Sequence, residues 1–359
     1  MSDLLKDVYT RKYLNNVANE ISIHYKEFSK KSFLVSVFSD DWDSLELKER
    51  MKRITSSLHS SLPLDYSKAV EILVNSAKRF SGFQAMFFPG YIETYGLEKR
   101  NLTKSLNALE ELTKFSSAEF AIRPFIFKYH DQVMKKMLAW SLSKNVHVRR
   151  LASEGARSRL PWAMALKKFK EDPTPVLPIL ENLKDDPELY VRKSVANSLN
   201  DISKDHPNLV IQIAKKWVGK SDNTNWIIKH GLRTLLKSGD QRALKIFGYS
   251  DSKNLKVEKI LIEKKKVKIG ESINFSFNLM VKKSSKVRLE YKIYYLKSNG
   301  DLKPKVFKIS EGDYERGVRS ISKKQSFKEM TTRKHYRGTH LLSVVVNGKE
   351  GAKVEFEVI

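Results

Sequence analysis

The sequence predicts a multidomain protein, an all-α HEAT-like helical-repeat solenoid followed by an all-β immunoglobulin-like sandwich. Its 359 residues are too many for one ordinary domain. Apolar residues recur at helical spacing up to about residue 250 and alternate with polar residues after it. The helical part also repeats itself. We therefore expect a helical-repeat domain over residues 1–249 and a β-sandwich over residues 255–359.

The helical part contains a repeated motif. Residues 148–154 align with residues 191–197, and residues 228–234 align with both more loosely. The copies lie about 40 residues apart, which is the period of paired-helix repeats of the HEAT or armadillo type. Such repeats stack into a curved array whose inner face binds an extended partner.

Polar residues recur on one face of the second helix of each repeat. Because residues four apart share a helix face, equivalent helices that stack would join these residues into one patch. The alternative is a solvated face with ion pairs such as Arg150–Glu154. The predicted patch consists of Arg150, Glu154 and Ser158, then Lys193, Asn197 and Asp201, then His230, Thr234 and Ser238.

The last part of the chain reads as short strands. Alternating runs cover residues 272–281, 286–296, 340–346 and 352–358. Turn pairs such as Asn299-Gly300 and Asn347-Gly348 separate the runs. Six or seven such strands are typical of an immunoglobulin-type sandwich, here without the disulfide that joins the sheets in antibody domains.

Charge is the most unusual property of the composition. The formal net charge is +26, and about half of it lies beyond residue 250. Such a balance attracts a polyanion, either nucleic acid or an anionic membrane. Residues 331–338 read as a long basic loop suited to phosphate contact or minor-groove insertion. A charged hairpin tip that only prevents edge-to-edge aggregation is the alternative. The loop contributes Arg333, Lys334 and Arg337.

The residue types that are missing exclude several classes of chemistry. The chain has no cysteine, which excludes disulfides, thiolate nucleophiles and iron–sulfur clusters. No signal-peptide pattern and no run long enough to span a membrane is present, so we expect a cytoplasmic protein that does not bind membranes. None of the eight histidines is followed two residues later by an acid. We therefore expect no metal and no other cofactor.

Four stretches carry a resemblance to a known family. They are residues 118–125, 150–157, 159–162 and 191–201. With them the chain resembles the AlkC branch of HEAT-repeat DNA glycosylases, relatives of AlkD, in the variant that carries a C-terminal immunoglobulin-like domain. The resemblance covers the whole chain.

The resemblance implies an activity and a set of site residues. The activity is excision of N3-methyladenine and N3-methylcytosine from duplex DNA, without a deep pocket for an extruded base. Glu119, Glu154 and Asp201 would be the acids near the scissile bond, and Trp162 would pack against the lesion or its sugar. The resemblance also makes Arg149, Arg192, Lys193 and Lys229 candidates for the DNA backbone. With the polar residues around them and the basic loop, the expected DNA-binding residues further include Arg150, Arg157, Arg159, Asn197, His230, Arg233, Arg333, Lys334 and Arg337.

The implied chemistry suits these residue types. An N3-methylated base carries a positive charge that weakens its glycosidic bond, and cleavage moves that charge to the deoxyribose. A carboxylate beside the sugar stabilises this state and can orient a water, as in glycoside hydrolysis. No general acid and no amine nucleophile are required, so we expect a monofunctional enzyme. Trp162 is the only aromatic residue that the sequence places near the acids.

Each proposed site residue also has a structural interpretation. Ser116 and Glu119 have the spacing of a capping box at a helix start. Glu154 could form surface ion pairs, and Asp201 could face solvent near a helix end. Trp162 follows Pro161, which fits the first turn of a helix and a core position for the tryptophan.

Two other functional classes remain as rivals. One is a non-enzymatic HEAT-repeat scaffold that binds nucleic acid, although acids within a basic surface argue against it. The other is a different repair of methyl damage. The missing cysteine excludes a thiol acceptor, and the missing His-x-Asp pair argues against an iron-dependent dioxygenase. We expect the partner to be double-stranded DNA with alkylated bases, bound by a monomer.

Overall fold

The computed structural model describes residues 5–39, 41–249, 252–330 and 334–359. Within them the α-helices precede all of the strands, which confirms the predicted order of an all-α part and an all-β part. The helices of the described residues are α1 (Arg11–His24), α2 (Lys30–Val37), α3 (Leu47–Ser61), α4 (Tyr66–Ala77), α5 (Phe87–Tyr95), α6 (Leu102–Leu112), α7 (Ile122–Lys128), α8 (His130–Trp140), α9 (Val146–Glu154), α10 (Lys167–Glu171), α11 (Leu177–Asn182), α12 (Leu189–Ile202), α13 (Pro207–Trp217), α14 (Asp222–Gly231), α15 (Arg233–Ser238) and α16 (Gln241–Ile246).

The chain forms two compact units. The first comprises Met1–His206 and Gly219–Gly231, and therefore holds α1–α12 and α14. The second comprises Pro207–Val218 and Leu232–Ile359, so that α13, α15 and α16 belong with the strands. The domain limits 1–249 and 255–359 stay a prediction.

The three aligned sequence segments become neighbouring helices of one stack. Helix α12 packs between α9 and α14. Asn145 caps the start of α9, where its side chain accepts hydrogen bonds from the His147 and Val148 amides. Helices α12 and α14 approach each other closely, because a Cβ built on Gly231 of α14 would lie 3.1 Å from the Cβ of Leu199 on α12. The helix ends of this stack position the acids described below.

The predicted polar face is wrong at three positions. Helix α9 ends before Gly155, whose Cβ would lie 2.6 Å from Ile122 Cγ2, and α14 ends at Gly231. The predicted face assumes that each helix continues through its glycine, but the chain leaves the helix at both Gly155 and Gly231. The displaced residues are Ser158, which follows α9, and Thr234 and Ser238, which lie on α15 in the other unit.

The β part consists of two sheets with a shared core. The strands of the described residues pair in the orders β1-β3-β6 and β2-β8-β7-β4-β5. Phe275 and Phe277 of β3, Tyr291 of β4 and Phe356 of β8 are buried in the core between the sheets. The strands are β1 (Leu255–Ile262), β2 (Lys266–Val267), β3 (Ser272–Val281), β4 (Ser285–Leu296), β5 (Leu302–Tyr314), β6 (Gly317–Ser326), β7 (Gly338–Val346) and β8 (Lys349–Val358).

The four strand ranges given by the sequence correspond to β3, β4, β7 and β8 within three residues at each end. The strands without a predicted range are β1, β2, β5 and β6. Strand β6 is exposed along most of its length, so it lacks the alternation of buried and exposed residues that identifies a strand.

The β7–β8 turn should depend on Asn347 for stability. Asn347 adopts a left-handed φ of 47°, and its buried amide accepts from the Arg288 N–H at 2.7 Å and donates to the Lys286 carbonyl at 3.1 Å. Asn347→Ala should lower the free energy of unfolding by about 2 kcal/mol, because it leaves the buried Arg288 amide unpaired and removes a second hydrogen bond to the Lys286 carbonyl. Asn299→Ala, at an exposed turn, should change it by less than about 0.5 kcal/mol. Urea denaturation measures both, and equal effects would contradict the prediction.

Candidate active site

Three acids and two arginines form one buried network in the first unit. Glu154 ends α9, Asp201 lies near the end of α12, and Glu119 lies just before α7. Glu154 is 5% exposed and Asp201 3% exposed. We call Glu119, Glu154, Asp201, Arg150 and Arg157 the carboxylate cluster. The structure thus brings together the three acids that the sequence singled out.

Arg157 joins two acids of the cluster. Its Nη1 donates to Glu154 Oε1 at 2.6 Å, and its Nε donates to Asp201 Oδ2 at 2.9 Å. Burial by itself would lower the pKa of the Arg157 guanidinium, but the charges of Glu154 and Asp201 outweigh burial and the pKa is raised. Arg157 is therefore a fixed cation behind both carboxylates.

Arg150 holds the third acid. Its Nη1 donates to Glu119 Oε2, which also accepts a hydrogen bond from Ser117 Oγ at 2.7 Å. Arg150 Nη2 lies 3.7 Å from Glu154 Oε1, and its guanidinium carbon lies 4.5 Å from the centre of the Tyr190 ring. Arg150 thereby links two carboxylates and an aromatic ring.

The structural interpretations of the acids are wrong. Glu119 does not belong to a capping box, because α7 begins at Ile122 and Ser116 Oγ donates instead to the Gly82 carbonyl. Glu154 and Asp201 are buried rather than at the surface, because Arg157 compensates their charge inside the unit.

Arg123 is a residue of the site that sequence reasoning gave no role. Its side chain is fully buried and donates to the carbonyls of Gly155, Arg157 and Met164 at 2.8–2.9 Å. Burial, with a contribution from the Arg157 charge, lowers its pKa to about 10. Arg123 fixes the irregular segment 155–166, which carries Arg157 and Trp162. The signal available was an arginine in an otherwise apolar stretch, Ile122-Arg123-Pro124-Phe125.

The cluster opens onto a cavity of about 700 Å³. Glu119, Glu154, Arg150 and Arg157 line it, whereas Asp201 lies behind Arg157 and is not among the lining residues. The expectation that Trp162 is the only aromatic residue near the acids is wrong, because residues distant in sequence converge here. We call this space the carboxylate cavity, and its aromatic lining residues include Phe83, Phe115, Phe120, Trp162 and Tyr190.

Trp162 stands out from the wall of this cavity. It is 63% exposed and has a left-handed φ of 63°, a conformation uncommon for a bulky residue. Lys48 donates a hydrogen bond to its carbonyl. The predicted helix start at Pro161 and the core position are both wrong, since residues 160–163 form no helix. Unusual backbone held by its surroundings often marks a functional site.

Several predicted DNA-binding residues hold other parts of the protein together. Arg149 pairs with Asp186 at 2.6 Å, Arg192 donates to the Asp186 and Pro187 carbonyls, and Arg159 pairs with Asp205 at 2.6 Å. These arginines tie helices to neighbouring loops. With Arg150 and Arg157 in the cluster, all five are occupied by contacts within the unit.

The other predicted DNA-binding residues lie in different places. Lys193 and Lys229 are exposed on the first unit, Asn197 is half-buried on α12, and His230 stacks on Trp226 with ring centres 4.9 Å apart. Arg233, Lys334 and Arg337 belong to the second unit, the last two being exposed. Arg333 lies outside the described residues.

Residues 5–39, 41–249, 252–330 and 334–359 contain no group of three or more His, Asp or Glu side chains placed to hold a metal ion. No helix among them combines the length and the apolar character that crossing a membrane requires.

Comparison with protein families defines the class. Residues 107–235 match the family described as "DNA alkylation repair enzyme", and this range includes the whole carboxylate cluster. Residues 256–359 match "Uncharacterised protein YhaZ, C-terminal Ig-like domain". The chain thus combines a domain of the DNA alkylation repair enzyme family with an immunoglobulin-like domain, and the predicted fold class is confirmed.

Two relatives define the branch. The chain is 45% identical over 359 residues to the uncharacterized protein YhaZ of Bacillus subtilis (strain 168), with 100% of both chains covered. The structure of Pseudomonas fluorescens alkylpurine DNA glycosylase AlkC, bound to DNA containing an abasic site analog, has a TM-score of 0.94 and 39% identity. The match covers 99% of this chain and 100% of the AlkC chain. The chain therefore belongs to the AlkC branch of DNA alkylation repair glycosylases, as its resemblance predicted.

Proposed function

We propose that the protein excises cationic N-methylated bases, N3-methyladenine and N3-methylcytosine, from duplex DNA. The reaction is hydrolysis of the N-glycosidic bond with Glu154 as the carboxylate beside the deoxyribose. The enzyme is monofunctional, uses no cofactor and acts as a monomer on DNA that contains alkylated bases. That the related AlkC structure contains DNA with an abasic site analog supports DNA as the partner.

The observation that carries this proposal is the state of the Glu154 carboxylate. Its Oε1 accepts the 2.6 Å hydrogen bond from Arg157, whereas Oε2 accepts no hydrogen bond from any described residue. Glu154 also lines the carboxylate cavity. A carboxylate held by one oxygen and open at the other is preorganised for a cationic group or a water in the cavity.

The other members of the cluster support Glu154 in this proposal. Arg157 fixes its orientation, and Asp201 is a positioning residue that holds Arg157 from behind. Glu119 lines the cavity and contributes a second negative charge. All three acids are ion-paired with guanidinium groups, which hold them in place. Negative charge held in this way favours a base that is already cationic, because cleavage moves its positive charge to the sugar.

The burial of the cluster argues against a non-enzymatic scaffold. Removing several charges from water costs free energy that their mutual attraction only partly offsets. A surface that only holds DNA requires exposed cations, not acids whose arginines are occupied in keeping them buried. The arrangement is understandable if the acids act on a positively charged centre.

The first test concerns which lesions are released. The protein should release N3-methyladenine and N3-methylcytosine from duplex DNA but not uracil or hypoxanthine, because a neutral base needs a proton donor to leave. Trp162→Ala should slow the cationic substrates about tenfold through lost stacking, without opening the site to neutral ones. Single-turnover assays that separate the free bases measure both effects. Efficient release of uracil or hypoxanthine by the unmodified protein would overturn the proposal.

The basic loop of the second unit should contribute to DNA affinity. Lys334→Ala/Arg337→Ala should reduce the salt slope of DNA binding by about two, because two fewer phosphates are neutralised. Lys256→Ala/Lys303→Ala removes the same charge from the same unit, at lysines paired with Glu258 and Asp301. Fluorescence anisotropy at several salt concentrations compares the two. If both double variants change the slope equally, the loop makes no specific phosphate contact.

A further inference from the structure

A second cavity of about 600 Å³ also borders Trp162. Phe120 and Trp162 line both this space and the carboxylate cavity, so the two are neighbours that share an aromatic wall. Helices α3 and α5 and the segment 155–166 supply most of the remaining lining, which includes Thr55, Gly90, Glu93 and Met164. We call it the Glu93 cavity, and nothing in the proposed excision reaction uses it.

Glu93 is the distinctive group of this cavity. Its side chain is half-buried, yet it forms no hydrogen bond and no ion pair with any described residue. Burial raises the pKa of its carboxyl group, and the charges of Lys48 and Lys52 oppose that effect without cancelling it. A half-buried carboxylate that no described residue contacts is open to a ligand in the cavity that supplies a hydrogen-bond donor.

The rest of the lining indicates the shape of that ligand. The rings of Phe120 and Trp162 and the side chain of Met164 offer flat, polarisable surfaces to a planar molecule. The volume lies within the usual range of small-molecule sites. A carboxylate oxygen accepts hydrogen bonds, so it pairs with a donor on the edge of a planar ligand. The exocyclic amino group of an aminopurine is such a donor.

We propose that the Glu93 cavity binds a free aminopurine base, with the ring against Phe120 and Trp162 and the amino edge on Glu93. The inference rests on the proposed function, because N3-methyladenine leaves the sugar as a neutral aminopurine of this class. The shared wall places the site beside the cavity in which that base is released. Bound product would then slow the enzyme by occupying a site separate from the carboxylate cluster.

Gly90 provides a way to fill the cavity without touching the cluster. It lies in α5, and the nearest atom to a Cβ built there is Thr55 Oγ1 at 3.6 Å, an ordinary contact. Gly90→Ala should therefore fold normally and leave most of the space open. Gly90→Met places a longer side chain at the same position, and this side chain would extend into the space that the base would occupy.

The test measures binding of radiolabelled N3-methyladenine by equilibrium dialysis without DNA. The unmodified protein and Gly90→Ala should show saturable binding, and Gly90→Met should bind about tenfold or more weakly, a loss of about 1.4 kcal/mol or more. Glu93→Gln should also weaken binding, because the amide has one acceptor oxygen in place of two and lacks the negative charge. Glu154→Gln should leave binding unchanged. Thermal unfolding of each variant confirms that it is folded.

Several outcomes would overturn the inference. These are no saturable binding by the unmodified protein, equal binding by Gly90→Met and Gly90→Ala, or loss of binding in Glu154→Gln, which would place the base in the carboxylate cavity. Tighter binding of deoxyadenosine monophosphate than of the free base would assign the site to a nucleotide instead. Because the assay contains no DNA, its failure is distinct from failure of the excision assay.

Discussion

Glu154→Gln should reduce single-turnover excision about 10²–10³-fold, the usual loss when one preorganised electrostatic group is removed from a site. Glutamine keeps the size of the side chain and an oxygen that can accept the Arg157 hydrogen bond. It removes the negative charge that faces the developing cation. DNA binding should stay near that of the unmodified protein, because Glu154 is buried and its loss leaves the exposed surface as it was.

The matched control for this experiment is Glu181→Gln, at an acid paired with Lys184 on the surface of the same unit. It should excise at the unmodified rate. Asp201→Asn should show a milder loss than Glu154→Gln, because Asp201 acts through Arg157. Unchanged single-turnover excision by Glu154→Gln would remove Glu154 from the mechanism.

Arg157→Met should destabilise the protein by about 3–5 kcal/mol, because it leaves the buried carboxylates of Glu154 and Asp201 without their shared cation. Methionine fills a similar volume, so that loss of charge compensation dominates the result. Adding Asp201→Asn should recover about 1–3 kcal/mol, since one uncompensated charge is then removed. Urea denaturation of the single and double variants gives both values.

Arg159→Met is the control for a lost ion pair. Arg159 lies two residues after Arg157 in the same segment. It pairs with Asp205, and both side chains are partly exposed. Its replacement should change stability by about 1 kcal/mol or less. If Arg157→Met were no more destabilising than Arg159→Met, the carboxylate cluster would not depend on a buried cation.

The architecture and the acids were predictable because they follow from local pattern. The helical spacing and its repetition in the sequence identified the stack of α9, α12 and α14. Alternation identified the four strand ranges, and the resemblance identified Glu119, Glu154 and Asp201. Each of these signals lies within a short stretch of sequence.

Burial and pairing of charged residues could not be predicted in the same way. Asp201 is buried because Arg157, far from it in sequence, lies within hydrogen-bonding distance, and only the packing of α9 on α12 makes that contact. The glycines at positions 155 and 231 look tolerable inside a helix, yet the chain leaves the helix at both. The basic residues Arg149 and Arg192 looked available for DNA because sequence does not reveal contacts with loop carbonyls.

The position of Arg123 has a consequence for how the protein moves. The segment 155–166 has no helix of its own, and one guanidinium supplies hydrogen bonds to three of its carbonyls. These hydrogen bonds tie both ends of the segment to one side chain, so we expect the two ends to open together in hydrogen–deuterium exchange. Slow exchange there would report on a side chain in α7 rather than on local secondary structure.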